Sequence, residues 1–399
     1  LDYIAGWFWK GKKYIENTKS VCAFVTTNSI NQGDQVSLLW PHILTDGTAI
    51  KFAYTSFKWS NNAKHNAGVT CNIIGLSSDP NNKTIYTKAT KRIVENINAY
   101  IIAADNIYIY PRKKTLSTIP LMCFGSMPND GGYLILNSTE YKTLTENNPF
   151  LCSMKKYVGA DDYINSIDRY CLWIDEEHLT EATKYSEIRA RIDNVKDYRL
   201  SSKREATQKL AKYPYRFGEV RYKNTNSIIV PRVSSERRIY IPLGFLDAQT
   251  VISDAAHAIY DAEPWIFGVV TSLMHMVWVR AVAGRLKTDY RYSAELCYNT
   301  FPFPKISNQQ KKRIELCVQE ILRVREKYSE RTMAELYDPD KMPKDLLEAH
   351  HSLDLVIETC YRRKPFENDE QRLTHLFKMY EMMTSNASEE ELKQLELGV

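Results

Sequence analysis

Two short stretches of this chain carry side chains suited to the edges and faces of nucleobases. In RLKTDYR (Arg285–Arg291) a lysine and a carboxylate, Lys287 and Asp289, stand two residues apart, so they point the same way if the segment is extended. An ammonium group can donate to guanine O6 and N7, and a carboxylate can accept from the cytosine N4 amino group. Such a pair would read one G·C base pair across both strands. The competing reading is an intradomain salt bridge, which contributes little stability when exposed. The second stretch is Phe57-Lys58-Trp59, where an apolar run gives way to Ser60 and Asn61. A chain leaving a sheet at such a point faces a ligand crevice, and an aromatic ring there can stack on a base swung out of a duplex. The plain alternative is that Phe57 and Trp59 pack the core at period two.

Other chemistry is poorly provided for. The chain has no GxGxxG, no Walker loop, no HExxH and no GxSxG. Asp338, Asp340 and Lys341 superficially suit a nuclease, but they fall in a loop between helices, whereas a metal-binding acid and its lysine belong on a strand. His275 lies in the apolar run SLMHMVWVRAV and His350-His351 on an amphipathic helix, and both read as core histidines. Eight cysteines without a CxxC pair imply reduced, mostly buried thiols, an intracellular setting and no structural zinc.

At 399 residues, with 44% hydrophobic and 25% charged residues, the chain has the composition of a globular protein of two or three domains. No run approaches ~18 uncharged apolar residues, so no transmembrane helix is expected. The chain opens on Leu1 rather than methionine, and its first apolar run is followed by lysines, the wrong order for a secretion signal. It therefore reads as a piece cut from a longer protein. The net charge of +5 is unevenly placed, since acidic residues outnumber basic ones after Phe303. Lys203–Arg238 alone holds ten basic and three acidic residues, a balance that suggests a polyanionic partner or simply a solvated face.

The elements that must position these residues fall into three textures. Up to about Ser78, an amphipathic helix over Asp2–Asn17 precedes a buried central strand at Ser20–Thr27. A helix over Gly33–Leu44 follows, which Pro41 should end or kink, and then strands at Ile50–Trp59 and Ala67–Leu76 joined by a polar loop. From Asp79 to Tyr298, short strands (Tyr133–Leu136, Ser227–Pro231, Arg238–Pro242) mix with a long polar helix around Glu181–Tyr213, the pattern of an α+β domain. After Pro302 and Pro304 the chain is helical, over Gln309–Tyr328, Leu346–Tyr361 and Glu367–Met383, and SEEELKQLELGV reads as a frayed helix end.

FVTTNSINQGDQVSLLWP (Phe24–Pro41), FKWSN (Phe57–Asn61), RYCLW (Arg169–Trp173), FGEVRYKNTNSIIVPRVSSERR (Phe217–Arg238), WVRAVAGRLKTDYRYS (Trp278–Ser293), YNTFPFP and LYDPDKMP together resemble the MmeI-type family. Its members are large bacterial proteins that join a site-specific DNA adenine-N6 methyltransferase to a target-recognition domain, often with an N-terminal nuclease. The resemblance spans essentially the whole chain. It begins just after the family's Gly-rich S-adenosylmethionine loop and its Asn-Pro-Pro-Tyr/Phe tetrapeptide, neither of which occurs here.

The resemblance implies an α/β plus α+β architecture. Residues 1–95 would be the C-terminal half of a Rossmann-like methyltransferase sheet, 96–298 an α+β target-recognition domain, and 299–399 a helical C-terminal domain. Phe57 would sandwich the flipped adenine. The Lys287/Asp289 window would be a specificity position, and Arg232 with Asp254 a second, an arginine fork on guanine with an acid on cytosine. Arg291 with Ala255 would be a third. Lys203, Arg204, Lys223, Arg237 and Arg238 would contact phosphates, which position without specifying. The partners implied are double-stranded DNA and the missing N-terminal catalytic part, with no membrane and no metal, in the cytoplasm. S-adenosylmethionine would belong to the full-length enzyme and not to this chain alone, which should be inert by itself. Two other readings stand beside this one: the specificity half of a split enzyme, and a degenerate homologue serving as a nucleic-acid-binding scaffold.

Overall fold

The computed structural model describes residues 1–59, 69–79, 81–147 and 154–385. The polar loop expected after Trp59 and the frayed C-terminal segment lie outside the described residues. Helix α1 (Ile4–Ile15) buries Phe8 and Ile15 and sends the Lys12 ammonium across to the His42 carbonyl (2.9 Å) and the Asp46 carboxylate (3.0 Å). It packs on a five-stranded sheet of β1 (Val21–Thr27), β2 (Ala49–Lys58), β3 (Thr70–Ser77), β4 (Lys83–Tyr86) and β5 (Lys91–Val94), in the order β1-β3-β2-β4-β5. Only the β2–β4 pairing is parallel. Helix α2 (Asp34–Ile43) continues two residues past Pro41, so the proline does not end it.

One expectation fails here. The apolar run read as a central strand forms β1, which is an edge strand among the described residues. Its Cys22 and Phe24 lean on α1, with the Phe8 and Phe24 rings 5.0 Å apart, whereas Val21, Ala23 and Val25 are exposed. A strand apolar on both faces is fully buried only when both faces and both edges are covered, and the described residues cover one of each.

Three further sheets follow. One runs Gly244–Leu246, Ser227–Pro231, Ala256–Tyr260, Met122–Phe124, entirely antiparallel. Another runs Thr250–Ile252, Met154–Val158, Arg169–Leu172, Ile135–Asn137, with only its first pair parallel. The third is a small sheet of Val233–Ser234, Asp289–Arg291 and Gly284–Leu286. Arg238–Pro242 is not a strand. Tyr240, Ile241 and Leu243 are all buried there, and the Tyr240 hydroxyl is held by Asp354 (2.6 Å), so packing rather than a ladder fixes the segment. The long polar helix is also broken, into Leu179–Ala182, Ser186–Leu200 and Glu205–Lys209. Its second break follows Arg199, which is buried and donates to the carbonyls of Pro128, Asn129, Leu210, Tyr213 and Arg216. The last three of those carbonyls fold the following chain back on the helix.

The apolar helices Pro264–Thr271 and Leu273–Val282 form the central spine, bent by 55°. No single helix among the described residues is long and apolar enough to cross a membrane. His275 is a core residue as expected, fully buried against the Tyr292 hydroxyl (2.8 Å), and burial depresses its pKa to about 3. His350 is likewise buried, 2.7 Å from the Tyr337 hydroxyl, but His351 is exposed, so the expectation holds for one residue of the pair. The seven described cysteines are free thiols.

The C-terminal helices Asn308–Glu326, Lys344–Tyr361 and Asp369–Thr384 close over this spine. Ser307 and Gln310 cap the first reciprocally. Gly268 lets that helix approach, since a Cβ there would stand 2.4 Å from the Ile314 side chain. One continuous core runs from Phe8 through Trp278 to Tyr380. Buried polar groups tie the layers: Arg325 donates to the Leu243 carbonyl (2.7 Å), and Asp354 accepts from Tyr240 and from the Leu273 amide (2.7 Å).

Burial pushes the Asp354 carboxyl up to about 7, against the two hydrogen bonds it accepts. Its pKa in the unfolded chain is about 3.9, so the folded state holds the extra proton between those values. Asp354 therefore subtracts stability as pH rises from about 4 to 7, by at most about 1.4 kcal/mol per pH unit. Asp354→Asn should flatten that part of the stability–pH curve in denaturant titrations; an unchanged slope would remove Asp354 as its source. At β1, Val25→Lys should reduce concentration-dependent self-association measured by sedimentation velocity, because it places a charge on the uncovered face.

Candidate nucleic-acid interface

The small three-stranded sheet gathers residues far apart in sequence. Val233 pairs with Arg291 and Ser234 with Tyr290, while the Tyr292 amide donates to the Arg232 carbonyl (2.8 Å). Tyr290 and Tyr292 are buried, so by strand alternation Asp289 and Arg291 share the opposite, outward side. Arg232 immediately precedes its strand and lies opposite the buried Tyr292.

Lys287 departs from the extended geometry its spacing suggested. Leu286 pairs directly with Asp289, so Lys287 and Thr288 form a two-residue hairpin turn. Lys287 has φ +58°, a left-handed backbone rarely adopted by side chains other than glycine and asparagine. It therefore projects from the hairpin tip while Asp289 lies on the strand. Arg285 braces the turn from behind: its guanidinium sits 3.9 Å from the Tyr290 ring centroid and donates to the Thr288 carbonyl (3.1 Å).

Asp254 and Ala255 occupy a second turn, reached from the four-stranded sheet. The Asp254 amide donates to the Ser126 carbonyl (3.2 Å), and the Ser253 hydroxyl accepts from the Ala255 amide (3.2 Å). Arg232 does meet Asp254, but through its backbone: Nη1 donates to the Asp254 carbonyl at 2.8 Å. Among the described residues none of Arg232, Asp254, Lys287, Asp289 and Arg291 belongs to an ion pair within 4.0 Å, in contrast to the neighbouring Arg221 and Arg237. The salt-bridge alternative for these residues therefore finds no contact to rest on. Ala255, Lys287 and Arg291 are exposed, and Arg232, Asp254 and Asp289 half-buried.

The five basic residues expected on phosphates divide. Lys203 and Arg204 are exposed at the turn after the Ser186–Leu200 helix, and Lys223 is exposed with its ammonium 5.8 Å from the Tyr260 ring centroid. Arg237 is ion-paired with Asp340. Arg238 is half-buried, its pKa lowered by burial against the pull of Asp289 and Asp338. Four of the ten basic residues of Lys203–Arg238 are thus matched within the chain, by Glu205, Glu176 and Glu219 as well as Asp340.

Phe57 lies near the end of β2, opposite Cys71 and just past a register shift after Tyr54. It is half-buried and outside the core, and Trp59 is 42% exposed, so period-two core packing does not describe this pair. The strand end is held by a chain of hydrogen bonds. Ser56 donates to Asn72 (2.8 Å), Asn72 to Asn31 (3.0 Å), and Asn31 to the Ala99 carbonyl (2.7 Å). Lys58 comes within 3.8 Å of Glu236, just after the Val233–Ser234 strand. A cleft of about 410 Å³ lies between Thr55 and Ser56 on the first sheet, Arg285 on the hairpin, and Asp369 and Glu370 on the last helix. Sequence reasoning missed Phe124, whose ring lies against Arg232, and Arg285, which braces the hairpin tip; each takes its place from contacts distant in sequence or across the ladder.

Three family models cover the chain in order: the MmeI DNA-methyltransferase domain over residues 1–87, the MmeI target recognition domain over 103–305, and the MmeI C-terminal domain over 306–387. The chain belongs to the MmeI family. It is 46% identical over 387 residues to the DNA methyltransferase A of Bacillus subtilis (strain 168), covering 96% of this chain and 44% of that protein. The structure of the Type IIL restriction-modification enzyme MmeI in complex with DNA superposes with a TM-score of 0.86 at 38% identity, covering 96% of this chain and 53% of that one. The chain thus spans about half the length of these MmeI relatives. Its mixed α/β sheets and helical C-terminal region follow the MmeI architecture.

The hairpin tip gives a direct test of the geometry. Lys287→Gly should relieve the left-handed strain and stabilise the chain by roughly 1 kcal/mol, read as a higher thermal midpoint. A lower midpoint would mean that the lysine is not strained at φ +58°.

Proposed function

We propose that this chain is the sequence-reading portion of a site-specific DNA adenine-N6 methyltransferase of a restriction–modification system. The observation that carries the reading is a set of polar side chains without an ion pair among the described residues: Asp289 and Arg291 on the outward side of the small sheet with Lys287 at its tip, and Arg232 bonded to the Asp254 turn next to its first strand. Duplex DNA would lie against that side. Arginine and lysine would donate to guanine and the carboxylates accept from cytosine in the major groove. Lys203, Arg204 and Lys223 would hold phosphates. Phe57, on its braced strand end, would stack on the adenine once flipped from the helix.

The Gly33 turn does not fit S-adenosylmethionine. The glycine that opens a helix after a strand, Gly33, gives its amide to the Val282 carbonyl (3.1 Å) and packs on Gly284, so no open loop is left there for a cofactor. The cofactor and the adenine-binding amide are accordingly assigned to protein outside these residues, and this chain alone is expected to be inactive. The uncovered apolar face of β1, with Val21, Ala23 and Val25 exposed, supports a catalytic part packing there. The same face suits a separate subunit equally, which is the split-enzyme reading. A cytoplasmic setting follows from the DNA substrate proposed.

Selection from random duplexes at near-physiological salt tests the proposal. Retained sequences should share a short motif with an adenine and at least one fixed G·C pair. Exchanging the charges with Lys287→Asp and Asp289→Lys should change the preferred base pair at one position. Lys203→Ala should weaken binding to all sequences and reduce the salt slope by about one. An unchanged preference after the double exchange would sink the base-reading assignment.

A further inference from the structure

Phe124 is a large apolar side chain, 42% exposed, on the outer strand of the sheet that carries Arg232 and the Asp254 turn. Burial does not account for it. Its surroundings are two guanidinium groups, Arg232 at 4.7 Å and Arg221 at 5.7 Å from the ring centroid, and the His257 ring at 4.9 Å. His257 is its cross-strand partner and is buried, with its pKa depressed to about 4 by desolvation, so it is neutral at ordinary pH and does not compete as a cation. Arg221 is already committed, donating to the Gly125 carbonyl (3.2 Å) and ion-paired with Glu219. Arg232 has one N–H on the Asp254 carbonyl and no acid partner among the described residues. A flexible side chain carrying one hydrogen bond can still swing about that bond, and the ring is what restrains it.

The backbone fixes the ring in turn. A Cβ on Gly125 would lie 2.2 Å from the Ser253 carbonyl oxygen, so the chain just after Phe124 runs directly against the Asp254 turn. The Asp254 amide bonds to Ser126 in the same segment. Phe124, Arg232 and Asp254 therefore move as one unit. We infer that Phe124 is a specificity-positioning residue: its ring face holds the Arg232 guanidinium, by a cation–π contact, in the plane from which the fork meets its base. The inference rests on the reading of Arg232 as a base contact.

The experiment is duplex selection and competition binding with this chain and four variants, Arg232→Ala, Phe124→Leu, Phe124→Tyr and Arg221→Ala. Phe124→Leu should lose about threefold to tenfold discrimination at the one base pair that Arg232→Ala relaxes, the size of a cation–π contact at a partly exposed site. Affinity for non-cognate DNA and the salt slope should stay within about twofold, since no phosphate contact is lost. Phe124→Tyr should restore discrimination because it keeps the ring. Arg221→Ala should leave it intact. If Arg232→Ala relaxes a position and Phe124→Leu does not, the positioning role is overturned while the base-reading assignment stands. A uniform loss on all sequences would also overturn it, by making Phe124 a general contact. If the chain selects no sequence, or Arg232→Ala changes no preference, the base-reading assignment falls and this inference with it.

Discussion

The register between Val233–Ser234 and Tyr290–Arg291, extended by the Tyr292 amide on the Arg232 carbonyl, is the constraint on which the candidate interface depends. A strand has period two, so one step of slippage would turn Asp289 and Arg291 inward and Tyr290 and Tyr292 outward. The two buried tyrosines prevent that. Tyr292 packs against His275 in the central spine, and Tyr290 carries Arg285, which braces the hairpin tip. Asp289 and Arg291 on one side and the core tyrosines on the other are thus the two faces of one short ladder.

The same spine links the three parts of the chain. Leu273–Val282 meets the start of helix α2 through the Gly33 amide on the Val282 carbonyl, and the C-terminal helices through Asp354 on the Leu273 amide. Arg280 reaches Asp369 and Arg92 reaches Glu370 on the last helix, so that helix clamps both neighbours. Exposed ion pairs add little stability individually, and the continuous apolar core supplies most of the cohesion. The polar ties fix orientation, and orientation is what a reader of base edges requires.

The proposed reading surface includes one strained and one solvent-exposed residue of the kind folding does not favour. Lys287 accepts a left-handed backbone at a hairpin tip, and Phe124 leaves its ring partly in water. Neither choice improves folding. Both make sense where a side chain must be presented to a partner, since local rules are most often broken at functional sites.

Sequence alone determined the element types wherever periodicity was strong: α1, β2 and the three C-terminal helices fall where apolar spacing placed them. It also determined the family, because motifs such as FKWSN and RLKTDYR survive as short strings. Tertiary structure decided what depends on distant partners. Ser20–Thr27 reads as a buried central strand but sits at an edge among the described residues, since hydropathy along one strand does not fix which strands pair with it. Glu181–Tyr213 reads as one helix but breaks where buried Arg199 gathers five carbonyls, a demand invisible to local propensity. Lys287 and Asp289 read as one strand face, but a two-residue turn falls between them, because register is set by pairing across the ladder and not by spacing along the chain.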